Sequence, residues 1–167
     1  MRLVIADTGP INYLIQIGQI GLLPRMFERV ALPHAVQAEL SNPLAPEAVR
    51  KWIAAAPAWL EIHDDAGLST VSGLDEGETA AIALAESLQA DLLLIDEREG
   101  FRAAERRGLR VTGTLGLLDL AAELGFVDFG QAIQQLELTN FRRPEWLLRD
   151  LLNKHAPLQP PPDPPLL

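Results

Sequence analysis

The sequence predicts a three-layer α/β/α fold around a central parallel sheet, on three observations. Leu3-Val4-Ile5-Ala6, Val30-Ala31-Leu32 and Leu92-Leu93-Leu94-Ile95 are apolar runs of strand length. Between them lie segments whose apolar residues recur at helical spacing, so strands alternate with helices, the pattern of a parallel sheet covered on both sides. The run at 92–95 lacks polar alternation, as expected of a strand buried on both faces. With 167 residues, 48% of them hydrophobic, the chain suits one well-buried domain. We assign residues 1–155 to it, and 156–167 to a proline-rich, extended or disordered tail.

The elements follow in order. Asp7-Thr8-Gly9-Pro10 turns the first strand into a helix with Ile11, Leu14, Ile15 and Ile17 on one side. After the strand at 30–32, a helix runs from His34 to Leu40, with Pro33 placed in its first turn and Ser41-Asn42-Pro43 stopping it. A helical pattern from Pro46 to Ala56 ends at Pro57. A short strand at Leu60-Glu61-Ile62 and a polar loop at 64–73 come next. Asp75 to Gln89 is the clearest helix, rich in alanine. Beyond the strand at 92–95 lie a helix (98–107), a short strand (109–112), a helix (115–124), and two further helices, Gln131 to Leu138 and Pro144 to Lys154.

Composition narrows the chemistry. The absence of cysteine excludes disulfides, thiolate metal sites and a cysteine nucleophile, and suits a cytoplasmic protein. No apolar segment approaches the roughly 20 residues that span a bilayer, so no membrane association is expected. Fourteen basic against 23 acidic residues give a net charge of −9, the opposite of a strong nonspecific nucleic-acid binder. The basic residues cluster, however: Arg98, Arg102, Arg106, Arg107 and Arg110 fall within thirteen positions. Such a run reads first as a solvated helix face and second as a local basic surface.

Four acids stand where chemistry gathers. Asp7 and Asp96 each follow an apolar strand and precede a helix, and in an open parallel sheet ligands collect at the carboxyl ends of strands. The competing reading is that each simply caps its helix. Glu39 sits late in a mostly apolar helix, either facing solvent or buried for a reason. Glu78 completes Asp75-Glu76-Gly77-Glu78, a capping-box pattern that by itself marks a helix start. His34, His63 and His155 show no metal-ligand spacing. No phosphate-binding glycine loop or dinucleotide fingerprint is present. A phosphatase with Asp7 as nucleophile is disfavoured because no second aspartate follows two residues later.

Taken together, these segments resemble the PIN-domain family. Ile5-Ala6-Asp7-Thr8 through Leu14 is similar to the family's opening strand and helix, and Pro33-His34-Ala35-Val36-Gln37-Ala38-Glu39-Leu40 to its second motif. Leu74 through Ala85 resembles the third, an acidic helix start followed by alanines, and Leu93-Leu94-Ile95-Asp96-Glu97 the strand carrying the fourth acid. Gly113-Thr114-Leu115-Gly116-Leu117-Leu118 is typical of a VapC-like prokaryotic subgroup. The resemblance covers about residues 1–125.

It implies a PIN-like fold whose acidic quartet Asp7, Glu39, Glu78 and Asp96 is catalytic and binds Mg2+ or Mn2+, with Thr8 offering a hydroxyl nearby. Asp75 is an alternative to Glu78, and Glu97 shares the position of Asp96. The implied activity is metal-dependent hydrolysis of RNA phosphodiester bonds, as the toxin of a toxin–antitoxin pair. The implied partners are RNA, an antitoxin protein and a second copy of the chain. The rival from another class is a catalytically silent PIN fold that binds protein. Acids packed this closely repel, so at least one carboxyl should hold its proton until a cation arrives.

Overall fold

The computed structural model describes residues 2–64 and 73–157. The expected loop at 64–73 and the expected tail lie almost entirely outside them. Five strands form one parallel sheet in the order β3-β2-β1-β4-β5. They are β1 (Leu3–Ala6), β2 (Arg29–Pro33), β3 (Leu60–His63), β4 (Leu92–Leu94) and β5 (Val111–Thr112). The helices are α1 (Thr8–Gln16), α2 (Leu22–Met26), α3 (His34–Leu40), α4 (Glu47–Ala54), α5 (Glu76–Ser87), α6 (Arg98–Arg106), α7 (Thr114–Glu123), α8 (Phe129–Glu137) and α9 (Glu145–Lys154). The expected three-layer α/β/α architecture is present.

The strands alternate between two cores, as a period of two demands. Val4, Ala6, Val30, Leu32, Leu92 and Leu94 face one core, with Ile11 and Leu14 of α1, Val49 and Ile53 of α4, and Leu117 and Leu118 of α7. Leu3, Ile5, Ala31, Leu93 and Ile95 face the other, against Ala81, Ile82 and Ala85 of α5 and Ala103 and Ala104 of α6. The chain moves outward from β1 through β2 to β3, then returns past β1 to β4 and continues to β5. A reversal of direction with crossovers of one hand requires the helices to change face, and α5 and α6 lie opposite α1 and α4. The reversal falls between β1 and β4, which pair directly with Ala6 opposite Leu94. A crevice therefore opens at their carboxyl ends.

Three local expectations need correction. Pro33 is the last residue of β2 and the N-cap of α3, with extended backbone, and not a first-turn residue; its fixed φ suits the strand end equally well. Helix α2 was not anticipated, because five residues are too few to show a helical period. Strand β5 is only two residues long, since Leu109 and Arg110 precede its pairing with β4.

Among the described residues no helix is long and apolar enough to cross a membrane. Ile5 is fully buried in the central strand, whereas Leu44 is 94% exposed. Ile5→Ala should cost about 2–5 kcal/mol and Leu44→Ala less than about 0.5 kcal/mol, checked by urea unfolding.

Candidate active site

Asp7 is the residue that the sheet forces inward. It follows the central strand β1, its backbone N–H donates to the Leu94 carbonyl at 2.9 Å, and its side chain is 5% exposed. It is the N-cap residue of α1 by position, but its side chain makes no capping hydrogen bond, and Oδ1 is buried with no partner. The capping explanation thus fails for Asp7. Its pKa is pushed up from 3.8 to about 8, chiefly because burial strips water from the charged form. The Thr8 backbone amide pulls it down, and the charges of Asp75, Glu39 and Glu78 add to the rise. A carboxyl that holds its proton was expected from crowding; desolvation is the larger cause.

Glu39 reaches the same place from α3. Its Oε2 accepts a hydrogen bond from the Thr8 hydroxyl, and its Oε1 accepts from the Gly77 backbone N–H at 3.1 Å. Thr8 therefore orients an acid. Gly77 explains itself here, because a Cβ at that position would lie 2.5 Å from both Glu39 carboxylate oxygens. Glu78, one residue on, is 6% exposed. The capping box is real, with Asp75 Oδ1 accepting from the Glu78 N–H at 2.8 Å and Glu78 Oε2 accepting from the Asp75 N–H at 3.3 Å. The cap also aims Glu78 at the crevice, where burial first, and then Asp75, Glu97 and Glu39, raise its pKa. The two readings of Glu78 are compatible.

Asp96 keeps different company. It does not cap α6, whose N-cap is Glu97. Instead Oδ1 accepts from the Thr114 N–H at 2.7 Å and Oδ2 from the Thr114 hydroxyl at 2.6 Å, which ties the end of β4 to the start of α7. Gly113 is required for this approach, since a Cβ there would lie 2.7 Å from Asp96 Oδ1. Arg143, from the segment between α8 and α9, donates to the Asp96 carbonyl at 2.8 Å and reaches Oδ1 at 3.4 Å. Thr114 and Arg143 were not identified as site residues by sequence. The Gly113-Thr114 motif was the available signal for the first; nothing local marks the second.

The structure thus brings Asp7, Glu39, Glu78 and Asp75 into mutual electrostatic reach, with Glu97 acting on Glu78 from its exposed position. Asp96 lies just beyond the end of the adjacent strand β4, engaged by Thr114 and Arg143. Among the described residues, no three acids or histidines are already closed around a single point as a metal cage. The donor set nevertheless fits a hard divalent cation: an unpartnered buried Asp7 oxygen surrounded by like charge is the environment such an ion relieves. Mg2+ in particular keeps several waters and needs few carboxylates.

A family model described as a PIN domain matches residues 3–156. The chain belongs to the PIN-domain family. The match runs beyond residue 125, so it takes in α8, Arg143 and all of α9. A solved PilT N-terminus domain protein, SSO1118 from the hyperthermophilic archaeon Sulfolobus solfataricus P2, shares the fold at a TM-score of 0.50 and 14% identity, over 70% of this chain and 90% of that one. No curated protein matches the chain. PIN domains are a nuclease fold family and typically bind divalent metals.

Two outcomes follow for this PIN domain. Because the folded pKa of Asp7 exceeds its unfolded value, the metal-free protein should lose stability as pH rises from about 4 to about 8 and level off above. Asp7→Asn should remove the part of this dependence that Asp7 carries, giving in EDTA at pH 8 a protein roughly 2–5 kcal/mol more stable than wild type, with the difference vanishing near pH 4 and only the weaker contribution of Glu78 remaining. Denaturant melts across that range measure it. Gly77→Ala gains up to about 1 kcal/mol of helix propensity, and the atoms it strikes are the end of a flexible side chain. It should therefore leave the melting temperature within a few degrees while displacing Glu39 and weakening manganese binding about tenfold or more, read by calorimetry.

Proposed function

We propose that this PIN domain is an Mg2+- or Mn2+-dependent ribonuclease acting at the carboxyl ends of β1 and β4. The observation that carries the reading is Asp7, a buried carboxyl with other acids around it, one of whose oxygens, Oδ1, has no hydrogen-bond partner. Purely structural acids are satisfied by donors, as Asp91 is by the Arg2 and Leu3 amides. Perturbed carboxyls in a crevice mark functional sites.

Asp7, Glu39 and Glu78 would hold the ion, with Asp96 just past the end of the neighbouring strand. When bound, it supplies Lewis acidity and charge neutralisation at a phosphodiester. The protein's own parts do the positioning. Glu39 is fixed by the Thr8 hydroxyl and the Gly77 amide, so its carboxylate is a preset acceptor for a water proton. The capping box fixes Glu78 against α5. Thr114 and Arg143 hold Asp96 and spread its charge, keeping the edge of the site that faces the arginine-rich helix α6 open to an anion. RNA as the substrate, a toxin role with an antitoxin partner, a homodimer and a cytoplasmic setting come from the family resemblance, and they form the working setting of this proposal.

A second reading, a PIN fold kept as a protein-binding module, draws on the bonding of both Asp96 oxygens to Thr114. Incubation with total RNA and manganese separates the two. Wild type should cleave RNA, EDTA should abolish cleavage, and Asp7→Asn and Asp96→Asn should each lower the rate at least about a hundredfold. Wild-type protein that is folded but leaves RNA intact with either metal would favour the binding module.

A further inference from the structure

Beside Asp96 lies a cavity of about 780 Å³, a size in the range of small-ligand sites. It is framed by α6 on one side and by the 142–147 segment on the other. Its apolar surface comes from Phe101, Leu115 and Leu147, and its charged surface from Arg98, Arg102 and Arg142. Against these stand the carboxylates of Asp96, Glu97 and Glu105. Among the described residues, Arg98, Arg102 and Arg142 make no ion pair, whereas Arg29, Lys51, Arg107 and Lys154 are each paired with a glutamate or aspartate. The Arg142 guanidinium is already oriented, donating from one nitrogen to the Phe141 and Thr139 carbonyls at 2.8 and 3.3 Å. Arg143 is fixed likewise, on Asp96 and over the Phe141 ring at 4.9 Å. An aromatic ring and guanidinium groups without an ion-pair partner, lining one concave, partly apolar site, match a base flanked by phosphates.

We propose that this cavity seats one nucleotide of the substrate strand, its base against Phe101 and Leu147 and its flanking phosphates on Arg102 and Arg142. The assignment rests on the ribonuclease reading above and gives it a strand direction: the substrate leaves the acidic crevice past Asp96 toward α6. It gives the chain's segment after α8 a task, forming one wall of the seat. It also accounts for nucleic-acid binding by a protein of net charge −9, since the contact is local.

The test uses the whole chain without divalent metal, so that binding is read apart from catalysis. The probes are a fluorescein-labelled 2′-O-methyl hexauridylate and an abasic hexamer of the same length, followed by anisotropy from 50 to 200 mM salt. Wild type should prefer the base-bearing probe by about tenfold, in line with one stacked base. Phe101→Leu, which keeps the apolar packing, should erase that preference. Arg102→Ser with Arg142→Ser, both at exposed positions, should weaken binding of both probes. It should also flatten the slope of log affinity against log salt by about 1.4, the value for two phosphate contacts on a single strand. No binding by wild type, or binding that both variants leave unchanged, overturns the seat. Cleavage of RNA by wild type with manganese would then leave the nuclease reading standing. Binding through these residues by a protein that cleaves no RNA would support the seat and sink the catalytic reading.

Discussion

A carboxyl group at the end of the central strand of a buried sheet is largely stripped of water, and the rest of the site is arranged around that fact. Asp7 follows β1, which is flanked by β2 and β4, and α1 folds back over it immediately. Burial is the largest cause of its raised pKa, Asp75, Glu39 and Glu78 add to the rise, and the Thr8 amide opposes it. A rise from 3.8 to about 8 corresponds to a cost on the order of 5 kcal/mol for keeping the group charged, a large share of the stability of a domain this size. Local rules that a sequence breaks at such cost are broken at functional sites.

The geometry that crowds these acids is made by two glycines and a change of helix face. Helix α3 lies at the carboxyl end of β2, and α5 enters from the opposite layer; their near contact at Gly77 lets Glu39 accept a bond from the first turn of α5. Gly113 does the same for Asp96 and α7. One acid pair is thus locked to helix starts by backbone amides, while among the described residues Asp7 keeps a buried oxygen, Oδ1, without a donor. A site built in this way has fixed walls and one unsatisfied centre. The C-terminal part of the domain closes it through Arg143, and α9 is itself held by Lys154 and His155 on Asp119 at 2.8 and 2.6 Å and by stacking of His155 on Phe129.

Much of this was legible in the sequence because it is written in short-range pattern. The apolar runs of β1, β2 and β4 and the alanine-rich α5 announce themselves, and strand-end aspartates in a parallel sheet point to a shared crevice once β1 and β4 are neighbours. The capping box at Asp75 could be read directly, although its second role, aiming Glu78, could not. What escaped is long-range. Thr114 and Asp96 are 18 residues apart, and Arg143 and Asp96 are 47 apart, so no local spacing reveals either contact. The basic cluster at 98–110 divided by helix face: Arg107 pairs with Glu86, whereas Arg98 and Arg102 turn to the cavity beside Asp96. Helical phase distinguishes those residues, and the phase becomes known only when α6 is placed against the sheet.

The central claim is that Asp7 holds its proton in the metal-free protein and gives it up to a cation. Proton release on manganese binding tests this most directly, by calorimetry at pH 7 in buffers of different ionisation heat. The account predicts release of about one proton or more per ion bound by wild type, and about one fewer by Asp7→Asn. Manganese that binds without releasing a proton, or that does not bind at all, would contradict it.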